Sequence, residues 1–300
     1  AGIAIVQFGG SPVPVSSTTI GGEGADGNLI AGGAGAGIEL ISGSATTILG
    51  NRIGVGAGGE QLGHADDGII VWDGSLGTTI GDTGGGGNLI AYNGGSGVVV
   101  SNADGVQIRG NAIFANESGG ITLGPGANNG ATAPVITAAV PGAGATAVQG
   151  WLFGAPDSAY AIDLFASAGC FATGVGQGER FLGSFAAATD DDGTVPLQTD
   201  LPLALAPGEV VTAVATDAAG NSSPFSSCAP AGPDNTSWYN ALDVGANSGL
   251  QQYLALPGQT RWYRVQLPPR SRLTVRLDDL PGDYDLALFG DILAGAAGLT

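Results

Sequence analysis

One stretch of the sequence carries side chains that could perform acid–base chemistry on a polysaccharide. It brings together carboxylates and the single histidine: Glu39, Glu60, His64, Asp66, Asp67 and Asp73. A glycosidase needs two carboxyl groups across a cleft, about 5 Å apart for retention or roughly 6.5 to 9.5 Å apart for inversion. Catalysis by Asp66, Asp67 and Asp73 is therefore one hypothesis. The alternative, which we favour, is that Asp66 and Asp67 are turn residues before a strand and that His64 lies at the surface.

A polysaccharide lyase would need a base beside carboxylates that hold calcium. The stretch 1–130 offers only Arg52 and Arg109, which occupy different positions of the repeat described below. The sequence therefore predicts no basic groove for a polyanionic substrate.

Two further kinds of ligand are open. Calcium is conceivable at Asp190 and Asp192, or at the second acidic stretch, 278–285, although neither has the spaced ligands of a helical calcium hand, and solvated turns are favoured. Trp72 and Tyr92 would bind a carbohydrate if both were exposed on one face, and the alternative is that they are packing residues. No other cofactor is predicted.

Composition excludes several classes of partner. The chain has 300 residues, a net charge of -18, and no lysine among its eight basic residues, so binding to nucleic acid is not expected. No apolar run approaches the roughly 20 residues of a spanning helix, so no membrane insertion is expected in this segment. The two cysteines, Cys170 and Cys228, suit one disulfide in an exported protein, with a reduced pair as the alternative. We expect an extracellular or cell-surface location.

The elements that position these side chains are set by an internal repeat. Residues 18–21 (Thr-Thr-Ile-Gly) return at 78–81, and residues 27–31 (Gly-Asn-Leu-Ile-Ala) return at 87–91. Within each unit the two Gly-Asn pairs have the same separation, which predicts coils of about 23 residues. Short β-branched stretches between Gly and Asn turns predict a parallel β-solenoid over residues 1–130, stacked coil on coil. A structural ladder of stacked amides is predicted at four asparagines: Asn28, Asn51, Asn88 and Asn111.

These coil sequences, 27–31, 50–54 and 66–71, resemble those of the right-handed parallel β-helix repeat proteins of bacterial secreted and surface proteins. The resemblance implies the fold and little about activity, because that family mixes polysaccharide lyases, hydrolases and non-catalytic surface proteins.

A second domain is predicted at 134–230, after a Gly, Pro, Ala and Asn-rich boundary at 124–134. Seven candidate strands suggest an immunoglobulin-like sandwich: 135–140, 147–153, 160–166, 180–185, 195–199, 210–216 and 222–228. Residues 160–165, 176–184 and 216–228 resemble a non-catalytic module that commonly follows such β-helix repeats.

A third domain is predicted at 235–300. Residues 262–267 and 283–288 resemble the bacterial pre-peptidase C-terminal domain, a β-sandwich, although Arg261 stands where an acidic residue commonly precedes the tryptophan. The stretch 235–300 is shorter than a complete domain of that type, so we expect both chain ends to lie within a longer polypeptide.

Low charge, repeated coils and modular β-domains together favour a non-catalytic structural or adhesive protein of the bacterial cell surface. Its expected partners are further copies of itself through exposed solenoid ends, which could give filaments or a surface layer, other surface proteins, or glycans. The alternatives are a secreted polysaccharide lyase or glycoside hydrolase, and a carbohydrate-binding protein.

Overall fold

The protein is all-β. The computed structural model describes residues 1–6, 16–170, 176–206, 208–232, 235, 241–245, 260–268, 270–276 and 285–288. Within these ranges the only helical segments are two 3-10 turns, at Gly24–Asp26 and Ala127–Gly130. No helix in the described part of the chain is long and apolar enough to cross a membrane.

The first part of the chain winds through three parallel sheets. Its strands are β1 (Ile3–Val6), β2 (Thr19–Gly21), β3 (Leu29–Ile30), β4 (Ile38–Ile41), β5 (Thr47–Leu49), β6 (Arg52–Ile53), β7 (Ile69–Trp72), β8 (Thr79–Ile80), β9 (Leu89–Ala91), β10 (Ser96–Ser101), β11 (Gln107–Ile108), β12 (Ala112–Phe114) and β13 (Gly119–Leu123). The sheets have the orders β1-β4-β7-β10-β13, β11-β8-β5-β2 and β12-β9-β6-β3. Every third strand therefore joins the same sheet. The all-β class and the parallel stacking predicted from the repeat are confirmed, whereas the right-handed winding stays a prediction.

The coils are held together by inward-facing aliphatic side chains. Ile38, Ile69 and Val98 pair in register across β4, β7 and β10, and each is fully buried. The numbering of these paired positions shows that the predicted coil length is too short for most of the solenoid. The predicted length holds for the step from Val98 to Ile121 and for the pairs Leu29–Arg52 and Leu89–Ala112, whereas turns such as the one at 55–63 lengthen other coils.

The predicted amide ladder is present in the interior. The side-chain oxygen of Asn51 accepts from the backbone and side-chain nitrogens of Asn28, Asn88 accepts in the same way from Asn51, and Asn111 from Asn88, at 2.9 to 3.0 Å. Three of the four asparagines are buried, and Asn28 at the end is exposed. Each buried amide also donates to a backbone carbonyl of a strand in the preceding coil, which satisfies polar groups that would otherwise lack a partner in the dry interior.

A second ladder, which the sequence analysis missed, contains His64. The prediction that His64 lies at the surface is wrong, since the residue is 2% exposed. Its Nδ1 accepts from the Gly33 amide at 3.1 Å, and its own amide donates to Asn93 Oδ1. Asn93 in turn donates to Asn116 Oδ1. His64 therefore takes the place of one amide in a coil-to-coil stack and is structural.

The second unit consists of two antiparallel sheets. Its strands are β14 (Val135–Pro141), β15 (Thr146–Phe153), β16 (Ala159–Ser167), β17 (Arg180–Ala188), β18 (Thr194–Leu201), β19 (Val210–Asp217) and β20 (Ala229–Pro230). The sheet orders are β14-β15-β18 and β17-β16-β19-β20. Six of the predicted strands are observed. The predicted strand at 222–228 is wrong: the chain there makes only isolated bridges, at Ser222 and Ser227, and the pairing strand is β20.

One aliphatic core, which includes Ile136, Leu152, Ile162 and Val211, joins the two sheets. Cys170 and Cys228 form a disulfide with their Cα atoms 6.0 Å apart. An immunoglobulin-like topology for this unit stays a prediction.

The second unit covers the C-terminal end of the solenoid. Phe165 and Phe225 pack edge-on with their ring centroids 5.3 Å apart and belong to the same core as the solenoid isoleucines. Gln177 accepts from the Asn116 amide, and Ser222 Oγ accepts from the Ile108 amide. The expectation of an exposed solenoid end is therefore wrong here, because this end is already paired with side chains of the following unit.

Little of the third predicted domain lies within the described residues. β21 (Leu242–Val244) and β22 (Tyr263–Val265) pair in parallel. Of the predicted strand at 283–288, Asp283 and Tyr284 lie outside the described residues and residues 285–288 form no strand; the first tryptophan of this predicted domain, Trp238, also lies outside them. The pre-peptidase-like sandwich stays a prediction.

Candidate functional site

The candidate site is the outer face of the five-stranded sheet, where the side chains predicted to do chemistry meet solvent. In β4, buried Ile38 and Leu40 alternate with half-buried Glu39 and Ile41, so the latter pair faces outward. The register places Glu39 beside Ile70, and Ile41 beside Trp72. This alternation fixes which side chains a ligand could reach.

Asp67 is the carboxylate that the fold modifies most. It lies two residues before β7, half-buried, and its Oδ1 accepts from the Ser96 amide at 2.5 Å. Burial raises the pKa of Asp67 above its ordinary value, and the charge of neighbouring Asp66 raises it further, while the Ser96 hydrogen bond opposes both. A carboxyl group with a raised pKa can hold a proton for general-acid chemistry.

The three aspartates predicted as a catalytic alternative do not form one cluster. Asp66 and Asp67 precede β7, whereas Asp73 follows it. A strand rises about 3.3 Å per residue, which puts Asp67 and Asp73 on the order of 15 to 20 Å apart. That separation exceeds both glycosidase spacings. Asp73 has a left-handed backbone (φ 47°) and accepts from Asn102 Nδ2 at 3.2 Å, as expected of a turn residue.

Glu60 and the two arginines are also committed to local contacts. Glu60 accepts from the Gly58 amide, and backbone hydrogen bonds of this kind lower its pKa. Arg52 donates to the Gly56 carbonyl at 2.7 Å. Arg109 donates to Asp163 and Ser184 of the second unit. The absence of a basic groove stays a prediction.

Trp72 and Tyr92 do not share one binding face. Trp72 ends β7 and is 42% exposed. Tyr92 directly follows β9, a strand of another sheet, and its ring packs edge-on against Phe114 at 5.7 Å. The packing alternative holds for Tyr92, and Trp72 remains as a single exposed ring.

The calcium candidates form a turn. Asp190 accepts from the Thr194 amide at 2.8 Å, and this hydrogen bond is the largest cause of its lowered pKa. Asp192 is exposed beside it. The described residues contain no group of three or more His, Cys, Asp or Glu side chains that could hold a metal ion. Of the other acidic stretch, Asp278, Asp279 and Asp283 lie outside the described residues, and Asp285 is exposed.

The sequence analysis also missed two exposed aromatic residues outside the solenoid. Trp151 and Phe153 lie on β15, 39% and 43% exposed, and both point away from the core of the second unit. The signal was present in the sequence, because Val148, Gly150 and Leu152 alternate with Gln149, Trp151 and Phe153.

Comparisons with known proteins give only a distant likeness. No family model and no curated protein matches the chain. Among solved structures, the full-length tailspike protein 2 from Escherichia coli O157:H7 bacteriophage CAB120 is 10% identical, with 63% of this chain and 41% of that chain covered and a TM-score of 0.19. The enzymatically active domain of bacteriophage CBA120 tailspike protein 2 is 13% identical, with 60% and 40% covered and a TM-score of 0.17. The chain thus spans about two fifths of both tailspike chains, and TM-scores of this size do not establish a common fold.

Proposed function

We propose that this chain is an extracellular, non-catalytic structural or adhesive segment of a bacterial surface protein, in which a β-solenoid and a β-sandwich form one rigid body. The observation that carries the proposal is the continuous interior. Buried isoleucine columns and two polar ladders run from coil to coil, and the same core continues into Phe165 and Phe225 of the second unit. Such an interior resists bending between coils and between units.

The arrangement of the carboxylates supports a non-catalytic role. Asp67 and Asp73 stand at opposite ends of β7, and the side chain of Asp73 accepts a hydrogen bond within its own turn layer. The histidine that could have served as a base is buried between backbone groups. Asp67 and Asp73, at opposite ends of β7, are therefore farther apart than either glycosidase spacing.

The test is depolymerisation of a panel of acidic and neutral polysaccharides, with and without calcium. The native protein is compared with an Asp66→Asn/Asp67→Asn variant and with an Asp190→Asn control. We expect no turnover by any of the three. Turnover that disappears in the double variant and persists in the control would overturn the proposal.

A second candidate function, glycan hydrolysis, is favoured by one observation, the raised pKa of Asp67 beside Asp66. In that case Asp67 is the proton donor and the turnover assay reports a loss of activity as the pH rises through its pKa.

Self-association is a further part of the proposal, and it would use surfaces other than the covered end of the solenoid. Negative-stain electron microscopy of the purified protein tests it, and isolated monomers at every concentration and salt condition would reject it.

A further inference from the structure

The outer face of the three-stranded sheet in the second unit carries a pair of exposed aromatic rings. On β15, Gln149, Trp151 and Phe153 are exposed while Val148, Gly150 and Leu152 are buried. A soluble protein usually turns such rings inward, and neighbouring exposed aromatic residues mark interaction surfaces. Because alternate residues of a strand share a face, the two rings lie side by side along β15, about 6.8 Å apart at their backbones.

The neighbouring strands complete a flat face around these rings. Trp151 pairs with Val135 of β14 on one side and with Pro196 of β18 on the other. In the next row Gln149 pairs with Gln198, and both glutamines are exposed. We name Val135, Gln149, Trp151, Phe153, Pro196 and Gln198 the aromatic face. It offers apolar ring surface beside two amide groups, each of which can donate and accept hydrogen bonds.

The charge of this face selects its ligand. The only charged residue on β14, β15 and β18 is Asp200, two rows away from Trp151. One cation contacts this sheet: Arg261 donates to the Thr137 carbonyl of β14 at 2.8 Å. An acidic glycan, a nucleic acid or an anionic membrane therefore finds no cationic cluster to pair with, and the chain's net charge of -18 repels all three.

A second copy of the chain is a poorer fit. Three strands about 4.8 Å apart and four rows of outward residues cover on the order of 300 Å², whereas a stable interface buries about 800 Å² on each partner. Two copies would also bring together equal charges of -18. A small, flat, neutral face of rings and amides matches instead a neutral sugar chain.

We propose that the aromatic face binds an uncharged glycan. The C–H groups on one side of a pyranose ring are weakly positive and stack on the negative faces of Trp151 and Phe153. Gln149 and Gln198 hydrogen-bond the hydroxyl groups of the adjoining sugar. This inference rests on the adhesive form of the proposed function and names its ligand, and the two fail in different experiments.

The test is affinity electrophoresis of the whole chain in native gels that contain dextran, mannan, galactomannan or hydroxyethylcellulose, with polygalacturonate and alginate as charged comparators. Trp151→Ala, Phe153→Ala and Gln149→Ala are compared with Trp72→Ala, which removes an equally exposed ring from the solenoid. We expect retardation by at least one uncharged polysaccharide, weakened about tenfold by Trp151→Ala and unchanged by Trp72→Ala. Unchanged melting temperatures establish that each variant is folded.

Three results would overturn the inference. The first is no retardation by any uncharged polysaccharide, and the second is stronger retardation by the acidic comparators. The third is a dimer of the native chain, seen by analytical ultracentrifugation, that Trp151→Ala abolishes, because the face would then be a self-interface. None of these results bears on whether the solenoid degrades polysaccharides.

Discussion

The ion pair between Arg109 and Asp163 gives the sharpest test of how the solenoid is joined to the second unit. Asp163 is 1% exposed and accepts from Arg109 Nη2 at 2.5 Å, from Arg109 Nε at 3.2 Å and from the Gly110 amide at 3.3 Å. Asp163→Ala leaves a mostly buried guanidinium and an amide without this acceptor. Breaking a buried ion pair costs about 3 to 5 kcal/mol. Because Arg109 is 20% exposed and keeps its bond to Ser184, we expect about 3 kcal/mol.

The chain supplies a matched control. Asp243 makes a similar two-bond pair with Arg264, but both side chains are more than half exposed, so Asp243→Ala should leave stability unchanged. Urea unfolding is followed by fluorescence of single-tryptophan variants that keep either Trp72, in the solenoid, or Trp151, in the second unit. We expect coincident transitions in the parent and separated transitions in Asp163→Ala. A loss below about 1 kcal/mol, or equal effects of the two substitutions, would refute a coupling role for this pair.

Three other substitutions test the interior and the candidate site. Asn88→Ala should lower the free energy of unfolding in urea by about 2 to 5 kcal/mol, because the buried Asn51 amide and the buried Ile48 carbonyl each lose a hydrogen-bond partner. Asn88→Asp should not restore this stability, since a carboxylate cannot donate to the carbonyl. Thr78→Val should raise the free energy of unfolding by about 1 kcal/mol, since the Thr78 hydroxyl is buried without a hydrogen-bond partner. Val106 fills the equivalent place in the next coil, so a valine fits there. A lower free energy of unfolding in this variant would contradict the prediction. The raised pKa of Asp67 means that the folded state binds the carboxyl proton more tightly than the unfolded state, so the free energy of unfolding falls as the pH rises from about 4 through the folded pKa. Asp67→Asn should flatten this dependence between about pH 3 and 7. An unchanged slope would count against the raised pKa.

The features that the repeat could predict are those that depend on neighbouring coils alone. The Asn ladder follows from the sequence because equivalent amides stack at one point of each coil, and the parallel sheets follow for the same reason. The coil length could not be predicted from the repeat in the same way. The insertion at 55–63 lengthens a coil without disturbing the pairing of the strands on either side, so it leaves the repeated strand sequences unchanged. The second ladder could be predicted only in part. Asn93 and Asn116 repeat at 23 residues, but the first member of this ladder is His64, so a search for repeated asparagines does not find it.

The contacts between units were beyond the reach of any periodic pattern. The sequence predicts Asp163 as an outward-facing polar residue of an alternating strand. Nothing near it in sequence indicates that its carboxylate pairs with the guanidinium of Arg109, 54 residues earlier. The aromatic face was missed for a different reason. Its alternation predicts a strand with one buried face, and which face is buried depends on where the second sheet packs.

The way the solenoid ends explains why its interior can be so polar without a loss of stability. A stack of amides leaves an unpaired donor at its last coil, and open strand edges invite another chain. Here the last coil passes three backbone donors to side chains of the second unit: the Gly110 amide to Asp163, the Asn116 amide to Gln177, and the Ile108 amide to Ser222. The second unit thus supplies the hydrogen-bond acceptors of the coil that would have come next. It follows that this end cannot add another copy of the chain without first losing these bonds, so any assembly of the protein has to use surfaces other than this end.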